Sequence, residues 1–358
     1  MKTRVLVVDD SITVRARLVE VLSADPEIEV VGEAGDGKRA FELCLALRPN
    51  VVTLDMVLPV MTGLTATEQI MAYCPTPILI VSASTNRGEL FKTYDALAAG
   101  ALEVLDKPSA HDTDEDWAPH FVSTVKLLAR LKVITHPRAR LGALASRSSG
   151  AHLATPMERS SSDVRVIALG ASTGGPGALL EVLRGLPRGF PIPILITMHL
   201  ATTFAGAFAS WLDEQSPLRV TFARDGEPLP SVGEGRIVLA PPDAHLTVSN
   251  GRLRNTNTPP RHSCRPSVDA LFESLAVELG SSTAACLLTG MGRDGAAGLL
   301  SIRVAGGRTI AQDEASSVVF GMPREAIQLG AAERVLPLSK IAAALTALAP
   351  INLERSIP

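Results

Sequence analysis

Three residues in the second half of the chain could together activate a hydroxyl: Ser172, His199 and Asp294. Serine attacks a carbonyl when a base takes its proton and an acid fixes and stabilises that base. Each of the three follows a short apolar run. Residues 164–169 lead into Gly170-Ala171-Ser172-Thr173-Gly174-Gly175-Pro176-Gly177, residues 192–197 into Met198-His199, and residues 284–289 into Gly290-Met291-Gly292-Arg293-Asp294-Gly295. Apolar, β-branched runs of this length fit buried parallel strands. Adjacent parallel strands bring their carboxyl ends to one edge. A hydroxyl in a strand-to-helix turn also meets the free N–H groups and positive dipole end of that helix.

The Ser172 loop taken alone admits three readings. Gly170-Ala171-Ser172-Thr173-Gly174 fits the G-x-S-x-G elbow of α/β-hydrolases, loosely suggests a dinucleotide loop, and suits a glycine-rich turn with a capping serine. The G-x-G-x-x-G spacing is absent, and the next strand ends in Met198-His199 instead of an acid. An α/β-hydrolase runs serine, acid, histidine, whereas this chain runs serine, histidine, aspartate. A packed histidine or a turn aspartate would explain either residue singly; three occupied strand ends favour the triad. His262-Ser263-Cys264 sets a thiol beside an imidazole, but in a proline-bounded loop without an orienting acid at strand-end spacing. A role at the substrate rim or in the structure is expected there, not nucleophilic attack. No His/Cys/Glu spacing indicates zinc.

A second constellation lies in the first 131 residues. Strands are expected near 4–8, 29–31, 51–54, 78–81 and 101–105, with helices between them and a last helix over 117–131. Their carboxyl ends carry Asp9-Asp10, Asp55, Ser82 and Lys107-Pro108. Three carboxylates at one sheet edge repel unless a cation sits among them, and hard oxygen donors suit Mg²⁺. A lysine and a hydroxyl alongside suit a phosphoryl group on the central Asp55.

The elements that position these groups follow from length and alternation. A chain of 358 residues, 46% hydrophobic with 28 glycines, describes two globular α/β domains. The expected division is 1–131, a linker over 132–163 with polar serine clusters, a second domain over 164–350, and a tail over 351–358. Both domains read as doubly wound, the first as a five-stranded parallel sheet and the second as mostly parallel, with a hairpin near 245–251. A net charge of −3 gives no case for nucleic acid. No stretch is long enough to span a membrane. Four cysteines without C-x-x-C pairing read as reduced thiols of a cytoplasmic protein.

The first constellation resembles the receiver domain of two-component response regulators, a flavodoxin-like fold. That resemblance implies that Asp55 accepts phosphate from a histidine kinase, Asp9 and Asp10 hold Mg²⁺ with Asp55, Ser82 and Lys107 form the switch pair, and a cis bond precedes Pro108. Such receivers often read D-x-E-M-P-x-M-D-G; here Val57 and Thr62 replace the two acids. The Ser172 loop, Cys264-Arg265-Pro266-Ser267-Val268-Asp269, Leu288-Thr289-Gly290-Met291-Gly292-Arg293-Asp294-Gly295, Ala311-Gln312-Asp313-Glu314-Ala315-Ser316 and Phe320-Gly321-Met322-Pro323-Arg324-Glu325-Ala326 together resemble the chemotaxis protein-glutamate methylesterases. The resemblance covers nearly the whole chain and is weakest in the linker. It implies hydrolysis of glutamyl methyl esters, and deamidation of glutamines, on the cytoplasmic helices of methyl-accepting chemoreceptors. It also implies a CheA-type histidine kinase as phosphodonor, Ser172 as nucleophile, His199 as base, Asp294 as orienting acid and the Met291 N–H in the oxyanion hole. No cofactor is expected at the esterase site. Where the family commonly reads Gln-His-Met-Pro, this chain has Met198-His199-Leu200-Ala201. A receiver joined to a DNA-binding output and a non-catalytic signalling adaptor are the competing classes. The second half offers no compact helix-turn-helix for the former.

Overall fold

The apolar runs become two separate parallel sheets. A computed structural model describes residues 2–82, 87–108, 114–131 and 163–350. The chain divides into two compact units at Ser146/Arg147. Almost all of the expected linker, and the tail, lie outside the described residues.

In the first unit the order is β1 (Thr3–Val8), α1 (Ile12–Ser23), β2 (Ile28–Ala34), α2 (Gly37–Leu47), β3 (Val51–Leu54), α3 (Gly63–Tyr73), β4 (Ile78–Ser82), α4 (Arg87–Ala98), β5 (Glu103–Asp106) and α5 (Asp114–Leu128). The sheet order β2-β1-β3-β4-β5 is parallel throughout. The chain reverses its direction of winding between β1 and β3, so Asp9 and Asp55 stand where such sheets bind ligands. Short polar side chains start the helices. Ser11, Asp36 and Thr62 each accept an N–H from the first turn of α1, α2 and α3. Thr62, one of the two departures from the receiver pattern, therefore has a structural role.

The second unit runs β6 (Val166–Ala171), α6 (Gly175–Arg184), β7 (Ile194–Met198), α7 (Thr202–Gln215), β8 (Arg219–Phe222), β9 (Arg236–Leu239), β10 (His245–Ser249), β11 (Arg252–Thr256), α8 (Val268–Glu278), β12 (Thr283–Leu287), α9 (Ala296–Val304), β13 (Arg308–Gln312), α10 (Met322–Gln328), β14 (Arg334–Leu336) and α11 (Leu338–Thr346). Seven strands form one parallel sheet in the order β14-β13-β12-β6-β7-β9-β8, while β10 and β11 make a separate antiparallel pair. β6 and β12 are fully buried along their length, as expected of central strands covered on both faces. Phe272, Leu271, Leu275, Leu299 and Ile302 of α8 and α9 pack on one face with the hairpin residues Leu246 and Leu253. The winding reverses between β6 and β12. The carboxyl ends of β12, β6 and β7 consequently lie side by side. Among the described residues, no helix is long and apolar enough to cross a membrane.

One correction concerns the receiver-like unit. Among the described residues the cis peptide is Arg265–Pro266, and the bond before Pro108 is not cis. Lys107 reaches its carboxylate partners without it (below). The turn after β3 is tight enough to exclude a methyl group at Gly63, where a Cβ would stand 2.3 Å from the Asp55 carbonyl oxygen and 2.7 Å from the Met56 Cα. Backbone cannot yield as a side-chain tip can, so Gly63→Ala should destabilise the first domain by about 1–3 kcal/mol. Urea unfolding of that domain measures it; an unchanged midpoint would contradict the contact.

Candidate active site and phosphoryl site

Strand register sets the first layer of the site. Gly170 and Ala171 pair with Thr197 and Met198, and on the other side Leu287 pairs with Gly170. Past the strand ends the His199 N–H still donates to the Ala171 carbonyl at 3.2 Å, and the Ser172 N–H to the Thr289 carbonyl at 3.0 Å. Ser172 is thus clamped between the segments carrying His199 and Gly290. The Gly290 backbone packs so closely that a Cβ there would lie 2.8 Å from the Ser172 Cβ. Gly174, at φ +77, lets the chain turn directly into α6.

The second layer fixes Asp294 and His199. His199 Nε2–H donates to Asp294 Oδ2 at 2.8 Å. Asp294 is buried, and its carboxylate rests on the start of α8: Oδ1 accepts from Ser267 Oγ at 2.7 Å and the Asp269 N–H at 3.1 Å, and Oδ2 from the Val268 N–H at 2.7 Å. Ser267 is in turn held by His245, whose Nδ1 accepts the Ser267 N–H at 3.0 Å. Burial alone would raise the Asp294 pKa. The His199 contact and these donors overcome it and hold the carboxyl down at about 2. For His199, burial works downward, but Asp294 and then Cys264 raise the imidazole to about 9. With Nε2 engaged by Asp294, the other ring nitrogen, Nδ1, faces Cys264 Sγ at 3.6 Å. Ser172 Oγ makes no hydrogen bond among the described residues.

Cys264, Ser267 and Asp269 belong to this site in ways that sequence spacing concealed. The carboxylate that the 262–264 loop lacks in sequence is supplied by α8: His262 Nε2–H donates to Asp269 Oδ2 at 3.1 Å, while its Nδ1 accepts from Arg293 Nε at 3.2 Å. Asp269 is fully buried, which raises its pKa; the Gly298 N–H at 2.6 Å opposes the rise and the Asp294 charge adds to it. The motif around Gln312 also has a role. Its Oε1 accepts the Thr289 N–H at 2.7 Å and its Nε2 donates to the Ser316 carbonyl at 2.8 Å, fixing the turn behind Ser172. Gly290 is bound on both sides, its N–H to Val319 and its carbonyl to the N–H groups of Gly321 and Met322. The next N–H, that of Met291, has no hydrogen-bond partner among the described residues.

In the first unit Lys107 Nζ lies 2.8 Å from Asp55 Oδ2 and 2.8 Å from Asp9 Oδ2. Ligand oxygens of Asp9, Asp10 and Asp55 all fall within 4.8 Å of one another. Burial raises Asp55 above the usual carboxylate range, the Asp9 charge adds to the rise, and Lys107 only partly opposes it. Asp9 Oδ2 is buried with the Lys107 ammonium beside it, so one cation faces three clustered carboxylates whose remaining hard oxygen lone pairs can take another. The residues therefore fit Mg²⁺. Ser82 ends β4, is buried, and accepts the Lys107 N–H on its carbonyl at 3.1 Å.

A five-stranded receiver-type sheet and a parallel α/β domain with a serine–histidine–aspartate edge define a response regulator with a hydrolase-like output. The profile of the response regulator receiver domain matches residues 5–114 and that of the CheB methylesterase matches residues 167–345. A protein-glutamate methylesterase/protein-glutamine glutaminase of Nitrosospira multiformis is 45% identical over 349 residues, 96% of each chain. One of Anaeromyxobacter dehalogenans is 44% identical over 345 residues, again 96% of each. The crystal structure of the Thermotoga maritima CheB methylesterase catalytic domain aligns at 37% identity over 52% of this chain and 99% of that one, with a TM-score of 0.49. This chain belongs to the CheB methylesterase family.

The paired shifts carry a pH signature. Asp294, lowered from 3.8, contributes stability above that value and loses it as pH falls through about 2. His199, raised from 6.5, contributes below 6.5 and loses it as pH rises through about 9. The pair therefore stabilises most between 3.8 and 6.5. Asp294→Asn should lower the second domain's calorimetric Tm most in that window, with the deficit shrinking above pH 9. A deficit independent of pH would contradict the pairing.

Proposed function

We propose that this protein is a phosphorylation-activated serine hydrolase that demethylates glutamyl methyl esters, and deamidates glutamines, on cytoplasmic helices of methyl-accepting chemoreceptors. The observation that carries the reading is the meeting of Ser172, His199 and Asp294 at three adjacent strand ends, with His199 Nε2 2.8 Å from Asp294. Relatives named protein-glutamate methylesterase/protein-glutamine glutaminase over nearly the full length supply the substrate class.

His199 Nδ1 takes the Ser172 proton as Oγ attacks the γ-carbonyl, and Asp294 stabilises the imidazolium that results. The free Met291 N–H receives the developing oxyanion; removing such a donor costs roughly 3 kcal/mol. Nδ1–H then protonates the departing methanol, or ammonia from a glutamine. Water, deprotonated by the same nitrogen, hydrolyses the acyl-enzyme and frees a glutamate side chain. In the first domain Asp55 accepts a phosphoryl group from a CheA-type histidine kinase. Asp9, Asp10 and Asp55 would hold Mg²⁺, which neutralises charge on the transferring group. Ser82 and Lys107 read the new phosphoryl oxygens. The protein works in the cytoplasm, where receptor helices and kinase are both present.

Ester hydrolysis should fall to near background in Ser172→Ala and His199→Gln, and somewhat less in Asp294→Asn, because the three act as a unit. Activity that survives Ser172→Ala but is lost in Cys264→Ala would move the nucleophile to the thiol.

Control is tested separately. A phosphodonor such as acetyl phosphate should accelerate the full chain, and Asp55→Asn should abolish that response. Removing the residues before Val164 should raise basal activity if the unphosphorylated receiver inhibits. An Asp55→Asn protein that still responds would refute phosphorylation control at this residue.

A further inference from the structure

The Cys264–His199 pair is an arrangement that ester hydrolysis does not require. We propose that Cys264 Sγ and His199 Nδ1 form a binding site for one thiophilic divalent cation of the Zn²⁺ class, and that this cation silences the base. The two donor atoms stand 3.6 Å apart. In tetrahedral zinc, with Zn–S of about 2.3 Å and Zn–N of about 2.0–2.1 Å, sulfur and nitrogen ligands are separated by about 3.5 Å. The pair is thus already at the spacing of two zinc ligands.

The surroundings complete the argument. Asp294 binds the opposite ring nitrogen of His199 at 2.8 Å. That is the carboxylate–histidine arrangement which fixes the tautomer and orients a metal-binding imidazole. Cys264 is presented by a closed turn: Arg261 and Cys264 exchange both backbone hydrogen bonds, with His262 and Ser263 between them at positive φ. Arg261 is anchored by two bonds to Glu273, and Arg265 by Asp243. The loop is therefore fixed by the fold, and within it Cys264 Sγ also contacts the His262 carbonyl at 3.4 Å. Cys264 and His199 are both half-buried, leaving the outer coordination positions to solvent, whereas Cys44, Cys74 and Cys286 are buried. Thiolate and imidazole select zinc-like ions, while the three carboxylates of the first domain select Mg²⁺. A cation on Nδ1 occupies the lone pair that would take the serine proton, so occupancy and hydrolysis are mutually exclusive.

The test uses the full chain with excess Mg²⁺ to fill the first-domain carboxylates. Co²⁺ is titrated in and the sulfur-to-cobalt charge-transfer absorption recorded, then Zn²⁺ is added to displace it. One equivalent of thiolate-bound Co²⁺ is expected, with Zn²⁺ protecting a single thiol, mapped to Cys264, from alkylation. Cys264→Ser should lose the absorption and bind Zn²⁺ at least about tenfold more weakly. Absence of a thiolate band in the wild-type protein, or alkylation of Cys264 unaffected by Zn²⁺, overturns the site without recourse to any variant. Zn²⁺ bound at Cys264 with ester hydrolysis undiminished would overturn the silencing, and would show that Nδ1 is not the proton acceptor. That outcome is a failure of the functional reading and leaves the metal site standing.

Discussion

The second domain depends on how one buried carboxylate is kept ionised. Asp294 has lost water on nearly every side, and burial of an unpaired carboxylate would drive it to bind a proton. Instead the first turn of α8 offers it two backbone N–H groups and the Ser267 hydroxyl, and His199 offers Nε2–H. The four donors share two oxygens. An anion at a helix N-terminus also gains from the aligned peptide dipoles. With Asp294 fixed, the imidazole has one orientation, Nε2 on the carboxylate and Nδ1 toward Cys264.

The rest of the domain can be read as support for that contact. Ser267 both caps α8 and donates to Asp294, and its own N–H is held by the buried His245. Asp269 takes the Gly298 N–H and the His262 ring, so two neighbouring buried carboxylates at one helix end have separate partners. Gln312 and Thr289 secure the turn opposite Ser172. The long motifs around Ser267, Gln312 and Phe320 are therefore stretches whose backbone groups hold the strand ends in register.

Much of this is legible in the sequence because buried parallel strands announce themselves. The runs before Ser172, His199 and Asp294 are continuous apolar segments broken by glycine or by a polar residue, and each break marks a carboxyl end. The same holds for Asp9, Asp55 and Ser82. What sequence could not reveal is where a connection returns. Cys264 lies 65 residues beyond His199, in a loop between a hairpin and a helix, and only the crossover of α8 onto β6 and β12 carries it back to the imidazole. The absence of a zinc-like spacing in the chain is for the same reason no guide to the space around His199. The bond before Pro108 shows the other limit: the family pattern implied a cis peptide there, and the cis peptide among the described residues is Arg265–Pro266.

The central claim is that Asp294 holds Nε2–H of His199 and leaves Nδ1 as the base. Nitrogen-15 and proton NMR of selectively labelled histidine test it most directly. At a pH where the imidazole is neutral, His199 should carry its proton on Nε2, with a strongly deshielded resonance that disappears in Asp294→Asn. A proton found on Nδ1, or an Nε2–H resonance indifferent to that substitution, would contradict the account.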